Sequence, residues 1–386
     1  MKIIKPFYIA LIIPLICSQT VYAQFKNGFP APSTVPNSEY PYIHSDGRVT
    51  FRVKAPLAKS VQVMGRYRKN AFGEKPIDLI RGENGIWMVK IPINPGFHYY
   101  QLIIDGTPVN DPASKTYFGW GQASSGLEVP HPKVDFDKAK IVPHGEVRER
   151  WYHSGVTKKL RRVFVYTPPD YDANIKRRYP VLYLQHGAGE SERAWTKQGK
   201  ANFILDNLIN SGKAVPMIVV MDNGYARKPG VELPPDSWGN EAFGEVLIKD
   251  LIPLIDSKYR TIKSKNYRAI AGLSMGGGQA LEVGLNHLDK FSWVGGFSSL
   301  LKNFDVDESY NGVFKNPISA NLKLKLLWLA CGTQDNFYST NKAAHEALEK
   351  VGIRHIWVGS EGGHTWLVWR RYLRDFTSII FQPDER

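Results

Sequence analysis

The chain has 386 residues, 43% of them hydrophobic and 22% charged, with a formal net charge of +14. Those proportions belong to a folded chain long enough for two domains, and they exclude a disordered or low-complexity protein. The Lys and Arg excess is scattered in short pairs such as Lys158-Lys159 and Arg161-Arg162. With no basic helix, zinc-finger spacing or aromatic RNA-binding signature beside it, that excess excludes nucleic acid as an expected partner.

Residues 1–23 read as a secretory signal peptide. Lys2 and Lys5 precede the apolar run Phe7 to Cys17, and Val21-Tyr22-Ala23 supplies a small-residue cleavage site before Gln24. The run is shorter than the roughly 20 apolar residues a membrane span needs. Lipid modification of Cys17 is the rival reading, but Ile16 is bulky where such sites want a small residue. Export implies a secreted or periplasmic protein of net charge +12, whose basic surface suits acidic polysaccharide or a cell envelope. Cleavage leaves Cys331 as the one cysteine, expected to be a buried thiol because it sits in an apolar run.

Residues 24–130 are expected to form a small all-β immunoglobulin-like sandwich. Alternating runs at Val49 to Val53, Val61 to Met64, Trp87 to Ile91 and Tyr99 to Ile104 are separated by turns at Asp46-Gly47, Asn84-Gly85, Pro95-Gly96 and Asp105-Gly106. Residues 131–144 are charged and proline-flanked, and read as a linker. From 145 to 386 the pattern becomes α/β with a mainly parallel sheet. Strands are expected at Val163 to Tyr166, Val181 to Leu184, Met217 to Met221, Tyr267 to Ala271, Leu324 to Ala330 and His355 to Val358. Helices are expected at Asn202 to Asn210, Gly244 to Tyr259, Gly277 to Leu288 and Ser339 to Val351.

The chemical signal lies in Gly272-Leu273-Ser274-Met275-Gly276, between an expected strand and an expected helix. This is the setting of a G-x-S-x-G elbow, in which flanking glycines let strand and helix approach while the turn lifts the hydroxyl clear of the sheet. A serine needs a base, and in this architecture the chain order is serine, acid, histidine. His345 falls within a helix and His355 within a strand, whereas His364 follows Glu361-Gly362-Gly363 just after a strand. Asp335 likewise follows a strand and is preferred to Asp305, Asp307 and Glu308, which sit in a polar stretch. Ser274, Asp335 and His364 are therefore the expected nucleophile, acid and base. Met275 and Ala188, the latter in His186-Gly187-Ala188-Gly189, are the expected oxyanion donors. His186 precedes the serine and reads as a structural loop histidine. Trp195, Trp238, Phe337 and Trp366 are the aromatic candidates for substrate contact. No H-E-x-x-H, paired-cysteine or dinucleotide-binding pattern occurs, so neither a metal nor a cofactor is expected.

Residues Tyr166 to Tyr171 (YTPPDY), Tyr179 to Gly187 (YPVLYLQHG), Gly272 to Gly277, Cys331 to Asp335 (CGTQD) and Gly363 to Trp366 (GHTW) occur in that order. In this the second part resembles the esterase D-like α/β-hydrolases, in particular carbohydrate esterase family 1, which includes feruloyl and acetylxylan esterases. The resemblance implies the same triad of Ser274, Asp335 and His364. Tyr99 to Gly106 (YYQLIIDG) and Asn110 to Pro112 make the first part similar to early-set, glycogen-branching-type carbohydrate-binding sandwiches. Trp120 and Tyr117 would there either stack on sugar or pack against the second domain.

The function implied is hydrolysis of feruloyl esters on plant arabinoxylan, through an acyl-serine. Acetylxylan esterase uses the same machinery on a smaller acyl group. A siderophore esterase shares the two-domain plan but is usually cytoplasmic, and glutathione-thioester hydrolases normally lack both the export signal and the extra domain. A non-catalytic polysaccharide-binding protein is disfavoured by the complete set of Ser274, Asp335 and His364.

Overall fold

The computed structural model describes residues 28–66, 71–232, 237, 239–301 and 303–383. The expected signal peptide, with Cys17, lies outside the described residues, as does Trp238. Among the described residues, no helix is long and apolar enough to cross a membrane.

Strands from Gly28 to Val129 form two antiparallel sheets. One is ordered Gly28–Pro30, Tyr42–His44, Arg48–Lys54, Ile86–Pro92 and Ile80–Arg81. The other is ordered Thr116–Gly119, Gln122–Val129, Gly96–Ile104, Val61–Gly65 and Ile77–Asp78, with Thr107–Val109 also paired to Gly96–Ile104. Inward side chains of both sheets, among them Val49, Phe51, Val61, Val63, Tyr100, Leu102 and Leu127, form one buried core. That is the period-2 alternation the runs announced, with one face of each sheet buried.

The α/β part is an eight-stranded sheet. Its strands are β1 (Glu146–His153), β2 (Leu160–Thr167), β3 (Val181–Gln185), β4 (Ile218–Asp222), β5 (Arg268–Leu273), β6 (Trp293–Phe297), β7 (Leu326–Gly332) and β8 (Ile356–Ser360). The spatial order is β1-β2-β4-β3-β5-β6-β7-β8, antiparallel across the first two pairings and parallel from β4 to β8. This is the α/β-hydrolase fold. Strands β3, β4, β5 and β7 are buried along their whole length, because helices cover both faces of the sheet. The covering helices include α1 (Ala201–Asn210), α2 (residues 243–258), α3 (Met275–Asn286), α4 (Tyr338–Lys350) and α5 (Trp366–Ile379). Within α2 the turn Val246–Leu251 is π-wound just ahead of Pro253, which has no N–H to continue the ladder.

Two strands and one long helix were not among the elements expected from the sequence. Strand β1 is an edge strand, exposed at most positions and rich in charge, so it carries no apolar alternation. Strand β6 contains Gly295-Gly296, residues that strands ordinarily avoid. Glycine is required there because a Cβ on Gly295 would stand 2.8 Å from the ring of Phe376. Helix α5 does repeat at helical spacing, burying Trp366, Trp369, Leu373 and Phe376 against the sheet.

The sandwich is docked directly on this core. Phe97 is buried within the α/β cluster that holds Trp366 and Leu184, a burial worth about 1.5–3 kcal/mol. Residues 131–145 contain no helix or strand, yet they are anchored. The Asn207 amide donates to the carbonyls of Phe136 and Lys138, both at 2.9 Å. Arg370 of α5 is fully buried and bridges three segments. It donates to both Glu128 oxygens at 2.8 and 2.9 Å, to Asp137 at 2.8 Å and to the Gln198 carbonyl at 2.8 Å. Burial acts to raise the Glu128 carboxyl, but Arg370 and Lys200 outweigh it and hold that group at about 2.

Candidate active site

The parallel sheet fans out so that the loops after β3, β5, β7 and β8 gather at one edge. Ser274 directly follows β5 and caps α3 with φ +54° and ψ −118°, a sparsely populated conformation for a side-chain-bearing residue. The elbow is held by its own backbone, with the Ser274 N–H on the Phe297 carbonyl at 2.9 Å and the Ser274 carbonyl accepting from Leu300 at 2.9 Å. The flanking glycines are required by contact. A Cβ on Gly272 would stand 2.4 Å from the Gly276 carbonyl oxygen, and one on Gly276 would stand 2.4 Å from that of His186.

Asp335 lies in the turn after β7, and His364 in the loop between β8 and α5. Folding brings these three distant residues into one line. The His364 Nε2 is 3.0 Å from Ser274 Oγ, and its Nδ1 is 2.9 Å from Asp335 Oδ2. The second Asp335 oxygen accepts the Phe337 N–H at 2.9 Å, which fixes the carboxylate. The imidazole is held edge-on by Phe337 and Trp369, with ring centroids 5.2 and 4.8 Å away. The carboxylate side chain is fully buried and the imidazole nearly so. A neutral imidazole with a carboxylate on Nδ1–H presents a free lone pair on Nε2 to the hydroxyl, an arrangement able to draw off its proton.

Two backbone donors flank Ser274 in the fold. Met275 is the first residue of α3, where N–H groups have no intrahelical acceptor. In the loop after β3, the Gly187 N–H is taken by Glu190 Oε2, that of Gly189 by the Tyr225 hydroxyl and that of Glu190 by the Gly187 carbonyl. The remaining N–H of the turn belongs to Ala188, which lines the cavity beside Ser274. His186 is buried, with Nε2 accepting from Gly224 at 2.9 Å and Nδ1 donating to the Gly187 carbonyl at 2.8 Å. Burial lowers its pKa, so it stays neutral and shapes the loop.

The cavity beside the hydroxyl has a volume of about 240 Å³. Leu273, Phe337, Trp366 and Trp369 line it from the α/β part, and Phe97, His98, Tyr99 and Trp120 line it from the sandwich. Phe337 and Trp366, two of the aromatic candidates for substrate contact, thus line this cavity. Trp195 requires correction: it is fully buried beneath the site, its Nε1 donating to the Gln185 carbonyl at 2.8 Å and its ring packed edge-on against Trp366. Tyr117 packs against Phe97, whereas Trp120 reaches the cavity. Sequence reasoning passed over Tyr99 and Glu190 as site residues. An acid directly after the glycine turn at Gly187–Gly189 was the available signal for Glu190, which the structure buries. Cys331 is buried, and burial pushes its thiol up to about 12. Among the described residues, no cluster of His, Cys, Asp or Glu could hold a metal ion.

Residues 154–376 match the family model described as "Putative esterase". The chain belongs to the esterase family. Among curated proteins, this esterase is 38% identical over 363 residues to the endo-1,4-beta-xylanase/feruloyl esterase of Xylanibacter ruminicola. The match covers 92% of this chain and 47% of that protein, so the chain spans about half the length of that relative. Among solved structures it is similar to a CE1 ferulic acid esterase from Anaeromyces mucronatus, at 26% identity and TM-score 0.56, over 63% of this chain and 93% of that one. The enterobactin esterase of Shigella flexneri, at 19% identity, shares the fold, with TM-score 0.61 over 86% of this chain and 92% of that one.

Proposed function

We propose that this esterase hydrolyses hydroxycinnamate esters, feruloyl esters above all, carried on plant arabinoxylan. The observation that carries the reading is the hydrogen-bonded line of Ser274, His364 and Asp335 at the foot of an aromatic-lined cavity. Flat aromatic walls suit an aromatic acyl group, whereas an acetyl group would leave most of that surface uncovered. The names of the Xylanibacter and Anaeromyces relatives support the same substrate class.

In the first half-reaction His364 Nε2 takes the Ser274 proton as Oγ bonds to the ester carbonyl carbon. The oxyanion that forms is held by the N–H groups of Ala188 and Met275. Asp335 keeps the imidazole in the right tautomer and stabilises its charged form. The carbon–oxygen bond to the sugar then breaks, His364 returns its proton to the departing alcohol, and an acyl-serine remains. Water repeats the sequence, giving the free carboxylic acid and restoring the Ser274 hydroxyl.

The same reading takes residues 1–23 as an export signal, placing the enzyme in a secreted or periplasmic setting with its polysaccharide substrate. It divides the mature chain into a sandwich (24–130), a linking segment (131–144) and the hydrolase (145–386), a division supported by the two separate sets of strands.

The test is hydrolysis by the purified protein of methyl ferulate, acetylated xylan and a catecholate siderophore. Methyl ferulate is expected to give the highest kcat/KM. Equal or better turnover of acetylated xylan would overturn the feruloyl assignment, and preference for the siderophore would move the enzyme to that class.

A further inference from the structure

Two pieces of the sandwich reach the cavity beside Ser274. Strand Gly96–Ile104 brings Tyr99, and the turn between strands Thr116–Gly119 and Gln122–Val129 brings Trp120. That turn lies on the loop carrying Ala188, where the Gly121 N–H donates to the Gly189 carbonyl at 2.8 Å. The approach is so close that a Cβ on Gly189, which has φ +75°, would stand 2.7 Å from the Trp120 Cα. Trp120 itself is held at φ +57°, a conformation few bulky residues adopt, and it is 42% exposed. A large aromatic in a strained turn, facing a cavity instead of filling a core, marks a functional position.

A second link runs through hydrogen bonds. The Tyr99 hydroxyl accepts from the Gln198 amide at 2.6 Å and donates to Glu190 Oε1 at 3.2 Å, and the other Glu190 oxygen accepts the Gly187 N–H at 3.2 Å. Gln198 also donates to the Phe118 carbonyl at 2.9 Å, so one side chain ties both sandwich pieces to the hydrolase. The loop that holds Ala188 is therefore braced from the sandwich at both ends.

We propose that Trp120 is a specificity-determining residue, its indole forming the sandwich-side wall against which the aromatic ring of the acyl group packs, and that Tyr99 is a positioning residue acting through Glu190 on the loop of Ala188. This rests on the serine-esterase reading of the site. It makes the sandwich a component of the acyl pocket.

The test compares methyl ferulate with methyl butyrate, which share a leaving group and differ only in the acyl chain. Trp120→Ala is expected to lower the ratio of kcat/KM for ferulate over butyrate about tenfold, chiefly through KM for ferulate. Trp120→Phe, which keeps a ring at the turn, is expected to restore most of that ratio. If Trp120→Ala does not fold, the phenylalanine variant carries the test alone, with a roughly threefold drop in the ratio expected. Tyr99→Phe is expected to lower kcat about tenfold on both esters with little change in KM, the mark of a displaced oxyanion donor. An unchanged ratio in the Trp120 variants would overturn the proposal, as would a loss in Tyr99→Phe confined to KM. Loss on insoluble arabinoxylan alone would assign Trp120 to polysaccharide contact instead and also overturn it. Wild-type protein inactive on both esters, or Ser274→Ala still active, would mark failure of the esterase reading itself.

Discussion

The hydrolase part brings to the cavity a hydroxyl, an imidazole and a carboxylate joined in a line by hydrogen bonds of 3.0 and 2.9 Å, all on loops that follow sheet strands. The sandwich brings no nucleophile there; it contributes rings, a hydroxyl and backbone contacts from one strand and one turn. On the proposed reading, the first set makes the reaction possible, and the second decides which acyl group fits and how steadily the oxyanion loop is held. The join between them is also unlike a tethered module. Its centre is a buried guanidinium shared by two carboxylates from different segments.

This contrast can be broken at graded cost. Ser274→Ala is expected to lower kcat about 10⁵-fold with unchanged folding, read by ester hydrolysis and circular dichroism. Asp335→Asn leaves the serine and imidazole in place but removes the tautomer control, and a fall in kcat of about 10⁴-fold is expected. Damage to the join should read in stability first. Arg370→Met leaves Glu128 and Asp137 buried without their main partner, and chemical denaturation is expected to register a loss of about 3–5 kcal/mol.

The join also has a pH signature. Glu128 is held at about 2 in the folded protein, below its ordinary value of 4.5. Its contribution is therefore complete above about 4.5 and is lost as pH falls towards 2, and in Arg370→Met that loss is expected at higher pH. Glu190 behaves in the opposite sense, because burial pushes its carboxyl up to about 8. The folded state keeps a proton that the unfolded chain gives up near 4.5, so stability declines as pH rises from about 4.5 to 8. Glu190→Gln is expected to flatten that decline in a series of thermal melts.

What the sequence revealed divides along the same line. Ser274 was legible because five contiguous residues encode the elbow, and Asp335 and His364 because chain order and strand ends narrow the choice. The alternation of the sandwich and the buried runs of β3, β5 and β7 were legible for the same local reasons. Helix α5 went unread although Trp366, Trp369, Leu373 and Phe376 repeat at helical spacing, and nothing local to Arg370 states that carboxylates from two other segments will meet it. Of the cavity residues Tyr99 and Trp120, only Trp120 was singled out, and then as a residue to stack on sugar or pack against the second domain. Their placement arises where the sandwich meets the hydrolase sheet, and no local pattern states which turn will meet which loop. Trp195 illustrates the converse: an aromatic close in sequence to the oxyanion loop is turned inward by the hydrogen bond of its Nε1 to Gln185.

The central claim is acyl transfer through Ser274, and rapid acid quenching of the wild-type enzyme during methyl ferulate turnover, followed by peptide mass spectrometry, tests it most directly. A feruloyl adduct on the peptide containing Ser274, absent from Ser274→Ala, is the predicted result. Ferulate release with no adduct on that peptide, or turnover that survives in Ser274→Ala, would contradict it.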